Sequence, residues 1–207
     1  MKRSLLVLVA FAAASHASPL IVPTLTVLGA NAADGLGFDA GGPAFTVAGN
    51  LLGTDTLSLM VSGTVDLAGG GFTANAAGIV TAPATTNTGV HPGQTTPNSG
   101  NALLNYGALL IGNSTLGFFQ VFPSSAAFGL GSGSPPTTLV LTNRTLANIG
   151  FTAGLSNGTI LELRVSDTNS GDNSGQFLVT QSSVPEPATF GLLSLGLGMM
   201  LSLRRRT

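Results

Sequence analysis

Between residues 18 and 183, short runs of Val, Leu, Ile, Phe and Thr alternate with clusters of Gly, Asn, Ser and Pro, and no stretch sustains a helical period. That punctuation predicts strands joined by turns. The clearest case is Thr159-Ile160-Leu161-Glu162-Leu163-Arg164-Val165. Leu161, Leu163 and Val165 fall on one face and Glu162 and Arg164 on the other, as in a half-buried antiparallel strand. Phe177 and Val179 repeat the two-residue period within residues 176–181. Further strands are expected at residues 21–28, 45–51, 57–66, 72–81, 109–111, 118–122 and 138–142, with loops at 84–101 and 129–136. The expected class is all-β, with one β-sandwich domain over residues 18–183. About 165 residues can bury some 70% of the surface of the unfolded chain, enough for a single core. The abundance of Gly, Ala, Thr and Ser also suits a β-solenoid, although no fixed period of about 20–50 residues is present.

Two apolar runs break this pattern, one at each end. Lys2-Arg3 precedes an apolar run over residues 5–14 and then Ser15-His16-Ala17. A basic flank, a short apolar stretch and small residues are the parts of a secretory signal peptide, here residues 1–17 with cleavage expected after Ala17. At the other end, Val184-Pro185-Glu186-Pro187 leads into an apolar run over residues 190–203 and then Arg204-Arg205-Arg206. Counted from Ala188, 16 residues of helix span about 24 Å against a hydrocarbon core of about 30 Å. A short transmembrane helix is therefore expected within residues 184–207. Each terminal Arg would cost about 2.5–3.5 kcal/mol at the bilayer centre, so the three stop transfer and stay cytoplasmic.

Charge and composition then remove whole classes of function. Only 7% of residues are charged, against 43% hydrophobic. Away from the ends, Arg144 and Arg164 face seven carboxylates, a net charge of −5 that offers no surface to nucleic acid. There is no Cys, which excludes disulfides and thiol chemistry. No Gly-x-Ser-x-Gly elbow, phosphate loop or His-Glu-x-x-His occurs, and His91 is the one His left once residues 1–17 are removed. An enzyme is not expected. Glu162 and Arg164 read as a solvated ion pair on a strand face. Asn-x-Ser/Thr sequons at Asn113, Asn143 and Asn157 read as incidental.

The chemically informative segment is Ser166-Asp167-Thr168-Asn169-Ser170-Gly171-Asp172-Asn173-Ser174-Gly175, between the two best strands. It concentrates carboxylate, amide and backbone oxygens, the ligands a hard cation such as calcium takes six to eight of. It departs from the EF-hand pattern at Gly171 and Asp172, and position twelve is Leu178. Such a run also serves as an ordinary hairpin loop whose residues supply turn geometry alone.

The Pro185-Glu186-Pro187 triplet, short apolar helix and basic terminus together resemble the PEP-CTERM sorting signal of Gram-negative bacteria. That resemblance implies export, an inner-membrane intermediate and processing by an exosortase, a membrane-embedded transpeptidase-like enzyme. It further implies a cell-surface or extracellular-matrix destination alongside exopolysaccharide. A second resemblance joins Asp167 and Asp172-Asn173-Ser174-Gly175-Gln176-Phe177 with Gly107-Ala108-Leu109-Leu110-Ile111-Gly112-Asn113-Ser114 upstream. Together these look like the calcium-dependent galactose-binding bacterial lectins and the wider galactose-binding-like jelly rolls. The fold implied is a single jelly-roll β-sandwich. The ligands implied are the side chains of Asp167, Asp172 and Asn173, with carbonyls from Asn169 or Ser170 and from Ala82. Compared with those lectins the loop is two residues shorter, and Asp172 replaces an Asn. The same lectins touch sugar through a His-Pro-x-Gln segment, matched by His91-Pro92-Gly93-Gln94, which implies carbohydrate contacts from His91 and Gln94. Tyr106 is the single Tyr and there is no Trp, so a sugar site would depend on the ion rather than on stacking.

Two functions follow as expectations. One is a calcium-dependent module that binds exopolysaccharide. The other is a passive matrix or spacer protein, which low charge, few aromatics and abundant Gly, Ala and Thr would also suit.

Overall fold

The strand with the longest inward alternation runs through the middle of one sheet. In this computed structural model, which describes residues 19–33, 41–67, 72–80, 104–123, 126, 128–129, 134–167 and 170–182, the strands in chain order are β1 (Leu25–Leu28), β2 (Ala32–Ala33), β3 (Ala44–Thr46) and β4 (Thr56–Leu67). They continue with β5 (Phe72–Ala74), β6 (Ile79–Val80), β7 (Leu109–Asn113), β8 (Gly117–Gln120), β9 (Phe128–Gly129) and β10 (Thr138–Thr145). A one-turn helix, α1 (Leu146–Ile149), precedes β11 (Ile160–Ser166) and β12 (Ser174–Gln181).

These strands form two five-stranded sheets, antiparallel except where β2 joins β11, and a parallel pair of β6 with β9. The first sheet has the order β1-β12-β4-β10, with β5 also on β4. The second has the order β2-β11-β7-β8, with β3 also on β11. Both β2 and β3 lie on the side of β11 away from β7, because β7 pairs residues 162–165 while β3 also pairs Glu162 and β2 also pairs Val165. Treated as one edge, they give eight principal strands in the orders 1-8-3-6 and 2-7-4-5. Among these eight principal strands, only the link from β7 to β8 stays within a sheet.

One core lies between the sheets. Leu57, Leu59, Val61 and Val65 of β4 and Phe177 and Val179 of β12 are sealed from solvent. So are Leu109 and Ile111 of β7 and Leu161, Leu163 and Val165 of β11, and all belong to a single apolar cluster. The two-residue period produces this directly, since alternate side chains point into the shared space. Leu161, Leu163 and Val165 face inward and Glu162 and Arg164 face the other way, as expected.

Several expected elements are shorter or broken. The strand expected at 21–28 is regular only from Leu25, and the one expected at 45–51 shrinks to Ala44–Thr46. The run expected at 72–81 divides into β5 and β6 around a turn, where the Asn75 side chain accepts from the Ala77 N–H (3.0 Å) and Gly78 has φ +82°. Strand β10 runs past 142 to Thr145 by bulging at Asn143, whose φ is +48°. The Asn143 N–H donates to Ser58 Oγ (2.8 Å), and the Ser58 hydroxyl donates back to Asn143 Oδ1 (3.3 Å). Helix α1 lacks any readable period at four residues, yet Thr145 caps its start by accepting from the Asn148 N–H.

The two ends of the sheets carry different loops. At one end the turn after β1, the residues before β7 and the β11–β12 loop meet: Gly29 N–H donates to Gly175 O (3.0 Å) and Gly107 N–H to Ser166 O (2.7 Å). At the other lie the β3–β4 connection, α1 and the point where the chain leaves β12, with Ser182 N–H on Ser58 O (3.1 Å) and Leu146 N–H on Asp55 O (2.8 Å). The segments expected to be a signal peptide and a C-terminal transmembrane helix lie outside the described residues. Among the described residues, no helix is long and apolar enough to cross a membrane.

Candidate functional site

The acidic loop is short because both of its ends are pinned by strands. Asp167 follows the last residue of β11, and Asn173 precedes the first residue of β12. Between them, Ser170–Asp172 form a single 3-10 turn. Asp167 is buried, and its Oδ2 accepts from Asn173 Nδ2 (2.5 Å). The same Nδ2 also donates to the carbonyl of Gly29 (3.2 Å). A side chain at position 29 would put its Cβ 2.5 Å from the Ser174 carbonyl oxygen, so only Gly allows this close approach.

Tyr106 completes the arrangement from the strand-free residues before β7. Its hydroxyl is hydrogen-bonded to Asp167. Burial pushes the Tyr106 phenol well above its ordinary value, and the charge of Asp167, the hydrogen bond to it and the charge of Asp172 push in the same direction. Phe72 packs edge-on against the Tyr106 ring, with centroids 6.2 Å apart and planes at 73°.

Of the expected ligands, Asp167 and Asn173 are therefore brought together, whereas Asp172 is exposed on the 3-10 turn. Among the described residues, no cluster of three or more His, Cys, Asp and Glu side chains is placed to hold a metal. The available donor set is instead oxygen from one carboxylate, one carboxamide and one backbone carbonyl, the chemistry calcium prefers. In the conformation described, the amide nitrogen of Asn173 lies between the Asp167 and Gly29 oxygens. Its own Oδ1 is buried and finds no hydrogen-bond partner among the described residues. A half-turn of that amide would exchange the two atoms and turn a third oxygen toward Asp167 and Gly29. The residues present thus fit a hard cation in chemical type, and equally form a closed latch across the loop.

His91 and Gln94, the expected sugar contacts, lie outside the described residues, as do Asn169, Ala82, Pro185, Glu186 and Pro187. The described residues that flank the segment holding His91 and Gln94 are tied together beside the site, for Ile79 N–H donates to Tyr106 O (2.9 Å). Buried Asn105 braces the same corner, its N–H on Gln120 Oε1 (2.9 Å) and its Nδ2 on Ala77 O (2.9 Å).

The pair Glu162 and Arg164 differs from the solvated pair expected. Arg164 donates through Nε (2.9 Å) and Nη2 (2.7 Å) to Glu162 Oε2, but its side chain is only 8% exposed and that of Glu162 27%. The guanidinium lies 4.6 Å from the ring centroid of Phe118, beside a small apolar cluster of Leu104, Leu110 and Phe118. Strand alternation places an Arg on the outer face of a sheet. Whether other chain covers that face is a matter of tertiary packing.

Two residues at the loop site, Tyr106 and Gly29, carry no local sequence signal for that role. Both reach it across long stretches of chain. No characterised protein and no solved structure matches the chain. Residues 183–206 match the PEP-CTERM protein-sorting motif, which supports an exported protein, sorted by exosortase through a membrane-anchored intermediate.

Proposed function

We propose that the protein is a surface or extracellular-matrix component whose mature part, a jelly-roll module, binds exopolysaccharide carbohydrate with the help of calcium. Support for the jelly-roll reading is the strand order 1-8-3-6 and 2-7-4-5, in which every principal connection but one crosses between sheets. The observation that carries the ligand reading is the convergence of the Asp167 carboxylate, the Asn173 carboxamide and the Gly29 carbonyl at one end of the domain. Calcium held there would present its remaining coordination positions to sugar hydroxyls, with Asp172 adding charge at the rim and His91 and Gln94 contributing sugar contacts. No catalytic role is assigned.

A specific observation favours the second reading, a passive matrix or spacer protein: Asp167 is already engaged by Asn173 and Tyr106, so the loop closes on itself without an ion. Calcium titration of the exported protein separates the two. An ion bound only by the folded state raises stability by about 2.7 kcal/mol at one hundred times Kd, seen as a higher melting temperature. Under the first reading that shift is lost in Asp167→Ala, kept in Asp39→Ala, and accompanied by chelator-sensitive binding in a glycan screen. An unchanged melting temperature at millimolar calcium, with no glycan bound, selects the spacer.

A further inference from the structure

We infer that the end of the domain from which the tail departs is a membrane-docking surface, seated on the bilayer while the chain is still tethered. Five apolar side chains are exposed toward this end: Ile21 (58%), Leu52 (66%) and Ile160 (57%) near the strand ends, with Met60 (44%) and Val140 (60%) a few residues in on the outer face of the first sheet. Register sets Met60 directly opposite Val140 on one side and Thr180 on the other, two positions before Ser182. Ile21 lies beside the same strand end. Its neighbours are Leu20, whose N–H donates to Thr56 O (2.7 Å), and Val22, whose N–H donates to Gln181 Oε1 (2.9 Å). Leu52 opens the turn into β4, with its N–H on Asp55 Oδ2 (2.8 Å).

Single exposed apolar side chains are ordinary on any protein. Leu28 (47%) and Phe72 (37%) are exposed at the opposite end, so the exit end is distinguished by the larger number of such side chains and by the scarcity of charge beside Ile21, Leu52, Met60 and Val140. The exposed neighbours Thr24 and Thr142 are neutral. Asp55 is buried against the Leu52 N–H, and Arg144 donates to the Val121 and Asn148 carbonyls (2.7 Å each). Little charge therefore has to be stripped of water when this end meets an apolar interface.

Chain length identifies the occupant. Eight positions separate Ser182 from Phe190, the first residue of the apolar run that ends at Arg204-Arg205-Arg206. Fully extended, eight residues reach at most about 29 Å, so once the run is in the membrane the exit end is held within that distance of the bilayer. A tether this short gives an effective concentration of about millimolar, at which a weak interfacial contact by a few apolar side chains is populated. The contact rests on the sorting-tail reading. It also leaves the Asp167 loop, at the opposite end of the sheets, turned away from the membrane.

The test uses the full chain in neutral phosphatidylcholine vesicles that contain quencher-labelled lipid. Because the chain has no Cys, Thr142→Cys and Ser174→Cys each accept a single fluorophore, the first near the exit end and the second at the far end of β12. Quenching at least threefold stronger at 142 than at 174 is expected. That difference should be unaffected by salt and lost in Met60→Glu/Val140→Glu while the chain stays vesicle-bound. Ile21→Glu repeats the test should the double variant lose its circular dichroism. Equal quenching at both sites in vesicle-bound chain, or a difference that survives the glutamates, overturns the proposal. So does quenching at 142 that follows protein-to-lipid ratio rather than quencher content, which assigns the surface to a second copy. A full chain that does not remain with vesicles overturns the tether and the docking together.

Discussion

At the scale of single residues, Asp167 organises the loop end. Removing its carboxylate in Asp167→Ala leaves the Tyr106 hydroxyl without its acceptor and the Asn173 amide with only the Gly29 carbonyl, and an unsatisfied buried donor is costly. Urea unfolding without calcium should show a loss of about 2–4 kcal/mol, and Asp167→Asn, which keeps an acceptor, a smaller loss. Tyr106 supplies an independent check through its proton. Its folded pKa is raised, so the folded state keeps the proton at pH values where the unfolded chain releases it. Stability from this source is complete below about pH 10, the ordinary Tyr range, and falls as pH rises above it. Since Tyr106 is the single Tyr, tyrosinate absorbance reports it directly. The alkaline absorbance change should coincide with unfolding, and Tyr106→Phe should flatten the alkaline slope.

At the scale of elements, adjacent positions on β4 should behave as different materials. Leu59 is sealed in the core and Met60 is half exposed on the outer face. Leu59→Ala should therefore cost about 2–5 kcal/mol in equilibrium unfolding. Met60→Ala should stay within about 0.5 kcal/mol. The junction after α1 is a second sensitive element. Gly150 has φ +143°, and a Cβ there would sit 2.1 Å from the Phe119 ring. That ring packs edge-on against Phe151 at 5.0 Å and 74°, and Gly150→Ala would force the pair apart. A loss of about 2–4 kcal/mol is expected from strain and overpacking, with a melting scan as the measurement.

At the scale of the whole molecule, the two ends of the sheets differ. One carries the Asp167 loop, and the other releases the tail that matches the sorting motif at residues 183–206. Glu186 is the only charged residue between Ser183 and Leu203 in that matched stretch. Were the 16 residues from Ala188 to Leu203 helical, they would span about 24 Å, short for a permanent anchor. Mass spectrometry of protein recovered from outside the cytoplasm of its native host should therefore find a C-terminus upstream of Phe190. An intact chain ending at Thr207 there would refute processing.

What local sequence could determine was periodicity and address. Alternation needs only nearest neighbours, so the inward sets of β11 and β12, the existence of β4 and the all-β class were legible. The sorting tail was legible because its triplet, apolar run and basic end are contiguous. Turns that divide a strand were less so, since the break between β5 and β6 depends on Asn75 folding its side chain back onto Ala77. Tertiary structure alone decided the rest. The pairing of β12 between β1 and β4, the meeting of Gly29 and Tyr106 with Asp167, and the burial of Arg164 over Phe118 join residues far apart in the chain. Long-range contacts of this kind form only when two sheets close on one core, and no local pattern encodes which distant residues then become neighbours.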